Sequence, residues 1–194
     1  MIPKRNLSFR RLTKFSVRYL ARDRSGASGV EFALLLPLLT ALLFGAVDLG
    51  HALTVSRKID EIAATTGDMI SQQGTWTQSD VAKLLTGASF ILQPYDTTGL
   101  TITVSVNDIS STGSATVNWS AAFNTSALSS GVASSVTIPS QIQEDGVQVV
   151  LTRVKYTFTT PVSAFFATFT GTDGYSFDRY FFNRPRASDK ITYK

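Results

Sequence analysis

Cysteine is absent from the 194 residues, and histidine occurs once, at position 51. Without thiols there is no disulfide framework, no CxxC redox pair and no thiolate zinc site, so any part outside the cytoplasm folds without covalent staples. A single histidine cannot build a zinc site of the usual ligand types. Serines are plentiful, but no G-x-S-x-G elbow is present, and the only imidazole lies far from most of them in sequence. With no nucleophile–base pair to name, the sequence reads as non-enzymatic, needing neither cofactor nor metal.

Charge is also scarce, at 16% of residues, and it is unevenly placed. Before Gly26 stand Lys4, Arg5, Arg10, Arg11, Lys14, Arg18, Arg22 and Arg24 against Asp23 alone, whereas the remainder carries ten bases and thirteen acids. The net charge of +4 is therefore an N-terminal property. A basic arm of this kind can bind phosphate. Directly ahead of a long apolar segment, however, it is the positive-inside signal that keeps an N-terminus cytoplasmic and sends the rest of the chain across the membrane. We therefore expect an inner-membrane protein and no nucleic-acid partner.

What the sequence does have is one concentrated apolar block. From Phe32 to Val47 no charge interrupts it, and only Asp48 and His51 do so before Ser56. Sixteen residues at ~1.5 Å each fall slightly short of a ~30 Å hydrocarbon core, and counting on to Val55 spans it. The block predicts a single transmembrane helix, with Pro37 tolerated as a kink near its start. A buried core helix would leave the one-sided basic flank unexplained. Beyond it, Ile59, Ile62, Ala63, Thr66, Met69 and Ile70 recur at helical spacing, so the helix should continue as an amphipathic one and end near Gly74.

A short second helix is expected over "TQSDVAKLL", with Thr77 and Asp80 at capping-box spacing. Strands come next. "LTITVSVND" sets Leu100, Ile102, Val104 and Val106 on one face and Thr101, Thr103, Ser105 and Asn107 on the other. "ATVNWSAAF" repeats the pattern across an "SSTG" hairpin connection. The Ser/Gly-rich residues 124–140 read as a surface loop with one helical turn. "VQVVLTRVKYTFTTP" gives a third strand and "DGYSFDRYFFNR" a weaker, aromatic fourth. The predicted class is α+β: a transmembrane helix continuing as an amphipathic helix that packs on a small antiparallel sheet. Its divisions are a basic leader (1–26), the long helix (27–73, transmembrane to about 55) and an α+β domain (74–194).

One junction carries a resemblance. Gly26, Ala27, Ser28, Gly29, Val30, Glu31 and Phe32 form G-x-x-x-x-E-F ahead of an apolar helix, which resembles the processing site of type IV-like prepilins. The wider "GVEFALLLPLLTALLFGAVDLGHAL", with Pro37 inside and Asp48 near its end, resembles the TadE-like pseudopilins of tight-adherence (Flp) pilus systems. The motif alone is weak and gains its force from the basic leader and apolar run around it. The resemblance implies a minor pseudopilin with its C-terminal domain in the periplasm. A prepilin peptidase would cut it between Gly26 and Ala27, where glycine offers no side chain to obstruct the enzyme. Its partners would be other pilin-like subunits and pilus assembly proteins. Glu31, beside Phe32, would pair with an N-terminal amine, its own or that of an adjoining subunit. Two alternatives stay open: an ordinary signal peptide cut after Gly50-His51-Ala52, and an anchored or secreted envelope binding module with no pilus role.

Two further patterns have ordinary explanations. Asp108-Ile109-Ser110-Ser111-Thr112 has the D-x-S-x-T form of a metal-dependent adhesion site, but an alternating strand before it and another strand after it point to turn chemistry. The aromatics between Phe165 and Phe182 can fill the core of a small sheet or form a partner surface, with core filling the expectation.

Overall fold

A computed structural model describes residues 26–171 and 174–194. Apart from Gly26, the expected basic leader lies outside the described residues. The chain divides into two units, one ending at Ala46 and one running from Val47 to Lys194. Helix α1 (Ala27–Ser71) contributes to both.

In the first unit, beyond Glu31, α1 carries no charge and is apolar on every side but for Thr40. Its large side chains from Phe32 to Phe44 are exposed, and the segment is long and apolar enough to cross a membrane. Pro37 supplies no N–H to the helix ladder. One turn further on, the Thr40 hydroxyl donates to the Leu36 carbonyl at 2.7 Å, so this polar group is satisfied within the helix.

The second unit is the α+β domain. Burial of α1 begins at Asp48 and continues through Ala52, Val55, Ile59, Ile62, Ala63, Thr66, Gly67 and Ile70. Steps of three and four put these residues on one stripe. The helix ends at Ser71, a little before Gly74. A short strand, β1 (Thr75–Trp76), leads to α2 (Gln78–Ser89). As the spacing predicted, Thr77 caps α2: its hydroxyl accepts the Asp80 N–H and donates to the Asp80 carboxylate at 2.7 Å.

Strands β2 (Thr101–Ile109), β3 (Ala115–Phe123), β4 (Gln148–Phe158) and β5 (Tyr175–Asn183) form an antiparallel sheet in the order β3-β2-β4-β5. One face packs under the helices. Ile102, Val104, Val106, Val150, Val154 and Tyr156 meet the α1 stripe together with Val81, Leu85 and Leu92. Each fully buried Val, Leu or Ile side chain here contributes about 1.5–3 kcal/mol.

The opposite face is less polar than strict alternation predicted. Ser105 and Asn107 are buried, and Ile109, Val149 and Ile138 form a second small core. The cause is the 124–140 segment. Expected as a surface loop with one helical turn, it does end in a 3-10 turn at Ser140–Ile142, but it also runs along β3, with the Val117 N–H donating to Val132 O and the Ser134 N–H to Ala115 O, and it brings Ile138 beneath the sheet. The Asn107 amide is accommodated there by donating to Ser105 O, Ser105 Oγ and Val149 O.

Two elements have no counterpart in the sequence reading. The first is α3 (Pro161–Thr170), closed at its start by a Thr160/Ser163 capping box and at its end by Gly171 in the left-handed region. The second is a C-terminal clasp in which β6 (Thr192–Tyr193) pairs parallel with β1. Trp119 stacks on Tyr193 and donates its indole N–H to Ile191 O, while the buried Gln148 side chain accepts the Ile191 N–H at 2.6 Å.

Candidate functional site

The residues singled out by sequence occupy the start of α1. Gly26 is an exposed turn residue whose carbonyl accepts the Val30 N–H at 3.1 Å, and a Cβ placed on it would meet nothing within 4 Å. Ala27 is the first helical residue. Glu31 lies four residues further on, about 6 Å along the axis. It is exposed and makes no ion pair among the described residues. Phe32 is 60% exposed. Locally, then, this is an open helix start with a carboxylate one turn in.

A second group gathers in the domain around Asp48, the residue that ends the uncharged apolar run. Asp48 is only 6% exposed and accepts the Tyr175 hydroxyl at 2.8 Å. One turn on, His51 Nδ1 lies 3.0 Å from the Tyr95 hydroxyl. Tyr95 meets Phe158 edge to face, and Phe158 stacks on Tyr175, closing a chain of contacts around this stretch of α1. Donation to Asp48 holds the Tyr175 phenol above its ordinary range, and burial adds to the effect. The sequence marks Asp48 as the end of the apolar run and gives the lone His51 no site to build. Their tyrosine partners lie 127 and 44 positions away, beyond the reach of any periodicity.

Strand β5 runs alongside α1 from this point. Tyr175 meets Asp48, Arg179 pairs with Asp60 at 3.1 Å, and Asn183 faces Gly67. The eight steps from Tyr175 to Asn183 cover about 27 Å of strand. The nineteen from Asp48 to Gly67 cover about 28 Å of helix. Past the strand, Arg186 pairs with Asp68, and its N–H donates to Ser71 O.

The remaining candidates resolve into ordinary structure. The Asp108 carboxylate accepts from Asn118 Nδ2 of β3 at 2.7 Å and Gln148 Nε2 of β4 at 2.8 Å, tying the two neighbouring strands, while Ser110 bonds Thr112 and Ser114 within the turn. Core filling by the late aromatics holds only in part. Phe177 and Phe182 pack against the two cores, but Phe165, Tyr180 and Phe181 are exposed. On the edge strand β5 the consecutive residues Asp178 to Phe181 are all exposed, and α3 presents Phe165 to the surface.

A long apolar helix leading into a small antiparallel sheet defines an α+β protein with a candidate membrane-spanning segment. Residues 26–67 match the model of the TadE-like protein family, from the glycine of G-x-x-x-x-E-F to the glycine packed against β5. Comparison with curated proteins and with solved structures returns no match. The match lies within Gly26 and α1, covers less than a quarter of the chain, and is consistent with a TadE-like protein of tight-adherence pilus systems; the apolar first part of α1 is a candidate membrane span.

Proposed function

We propose that this chain is a minor pseudopilin of a tight-adherence pilus, cut between Gly26 and Ala27 by a prepilin-type peptidase and held in the inner membrane by the first part of α1. The N-terminus is cytoplasmic and the domain from Val47 onward is periplasmic. The observation that supports this reading is the TadE-like match starting at Gly26, directly ahead of an α1 segment whose apolar side chains are all exposed. From Ala27 to Val47, twenty-one residues at ~1.5 Å each reach about 31 Å, the thickness of a ~30 Å hydrocarbon core.

In this reading Glu31 has a role once the leader is gone. A carboxylate a few ångströms inside the hydrocarbon is disfavoured unless it is hydrated or paired. The new Ala27 amine is its nearest cationic partner, either on the same chain or on a neighbouring subunit packed alongside. Pairing between subunits would fix their axial register. A second reading, an envelope binding module without pilus role, draws on the exposed Tyr180 and Phe181 of β5.

The mature N-terminus tests the proposal. Intact mass and N-terminal sequencing are expected to give Ala27, and Gly26→Val to leave the precursor. A mature chain starting at Met1 or Leu53 overturns processing. Glu31→Gln is expected to keep membrane insertion and cleavage but to lower crosslinking to other pilin-like subunits. Wild-type crosslinking of the cleaved variant would leave Glu31 with no assembly role.

A further inference from the structure

The chain is free of charge from Tyr156 to Thr172, and this stretch carries α3 with the sequence PVSAFFATFT. Such an apolar helix belongs in a core, yet Phe165 is 68% exposed and Ala164 is exposed beside it. The helix is also capped at both ends. The Ser163 N–H donates to Thr160 Oγ1 and the Thr160 N–H to Ser163 Oγ, each at 2.9 Å, while the Gly171 N–H donates to Ala167 O at 2.8 Å. Local capping of this kind suits a segment that leaves water, because backbone groups in hydrocarbon find no solvent partner.

Its position within the Val47–Lys194 unit indicates the medium. Helix α3 leaves the sheet after Phe158 and returns at Tyr175, and these two residues are register partners at the end of the β4–β5 pair. Tyr175 is bonded to Asp48, and Phe158 reaches His51 through Tyr95. The base of α3 is therefore fixed at the end of the unit where α1 enters it. At that same end α1 exposes Leu49 and Leu53 while burying Ala52 and Val55.

We infer that α3 is a second membrane contact, an uncharged interfacial helix that rests Phe165 among lipid acyl chains beside the entry of α1. This rests on the reading of α1 as a membrane anchor. The occupant is the bilayer because, within this unit, the exposed Leu49 and Leu53 lie on the helix that reads as the anchor, next to Asp48 and His51, whose contacts fix the base of α3. Helices that lie in the membrane interface bury Phe, Trp and Leu side chains about 5–10 Å into the headgroup–acyl boundary, a depth within reach of Phe165. Two contacts would also limit rocking of the domain about α1.

The absence of cysteine makes the test direct. Nitroxide labels are placed singly by Phe165→Cys, Ala164→Cys, Leu43→Cys and Val132→Cys in the full chain, reconstituted into phosphatidylethanolamine–phosphatidylglycerol vesicles. Collision with oxygen, which concentrates in lipid, is compared with collision with a water-soluble nickel chelate. The oxygen-to-nickel ratio at 165 or 164 is expected to lie several-fold above that at Val132, an exposed residue of the 124–140 segment, and to approach that at Leu43. A label at both 164 and 165 that reads like Val132 overturns the inference. So does spin–spin broadening at 165 that grows with protein density, which would assign the face to a second copy. A lipid reading at Leu43 with water at 165 sinks only this inference, whereas water at Leu43 removes the anchor and the inference together.

Discussion

Along one uninterrupted helix, the leucines and phenylalanines from Phe32 to Phe44 lie exposed, whereas Val55, Ile59, Ile62 and Ile70 are fully covered. The backbone is the same; the pattern of side chains differs. The first stretch is apolar on every side and needs a surrounding apolar medium, while the second is apolar on one stripe and needs a partner on that side only. The change from the first pattern to the second falls at Asp48, where the helix begins to be covered by protein.

Paired substitutions in the two stretches turn that contrast into numbers. Ile59→Ala removes a fully buried side chain from the core and is expected to cost about 2–5 kcal/mol of domain stability. Leu39→Ala, in the exposed stretch, should leave it within about 0.5 kcal/mol. Denaturant unfolding of the detergent-solubilised chain, followed by the fluorescence of the buried Trp76 and Trp119, measures both. Equal losses would mean that the two stretches share one core.

Glycines offer a sharper pair. A Cβ on Gly67 would lie 2.2 Å from Asn183 Oδ1 and 3.0 Å from Thr152 Oγ1, while one on Gly45 meets nothing within 4 Å. Gly67→Val is therefore expected to cost about 1–3 kcal/mol by overpacking the α1–β5 contact. Gly45→Val should leave domain unfolding unchanged. A neutral Gly67→Val would show that the Asn183 side chain simply swings aside.

The smallest effect concerns the boundary itself. Tyr175→Phe deletes the hydrogen bond to Asp48 and is expected to cost about 1 kcal/mol at neutral pH. The phenol's folded pKa is raised, so its contribution is complete below the unfolded value of about 10 and declines as pH rises from there through the folded pKa. The variant should therefore lose stability less steeply above about pH 10. Some slope should remain, because burial and the neighbouring Asp96 and Tyr95 also raise Tyr156. An unchanged alkaline slope in Tyr175→Phe would remove Tyr175 as a source of it.

Much of the architecture was legible because it depends on local pattern. The apolar block, the Ile59–Ile70 stripe, the Thr77 cap, the SSTG hairpin and the alternation of Ile102, Val104 and Val106 are written within a few residues of where they act. Helix α3 was missed although its Thr160-Pro161 start and Gly171 end are ordinary signals, because the aromatic run between them also suits a strand or a core. The second core beneath the sheet was missed for another reason. Ile138 lies in a serine-rich stretch with no helical or strand period, and only the path of the 124–140 segment along β3 carries it under Val149.

The fold class can be read from the order of residues along the chain. Residue order and hydropathy suffice for an N-terminal apolar helix, the G-x-x-x-x-E-F junction and a strand-rich remainder, since each is a property of contiguous residues. The tertiary structure alone decided where the helix acquires a protein partner. Nothing near Asp48 announces that a tyrosine 127 positions away will bond it, or that β5 will run beside α1 from there to Gly67. Those pairings result from closing the sheet over the isoleucine stripe, a global packing choice in which each local segment has only a small share.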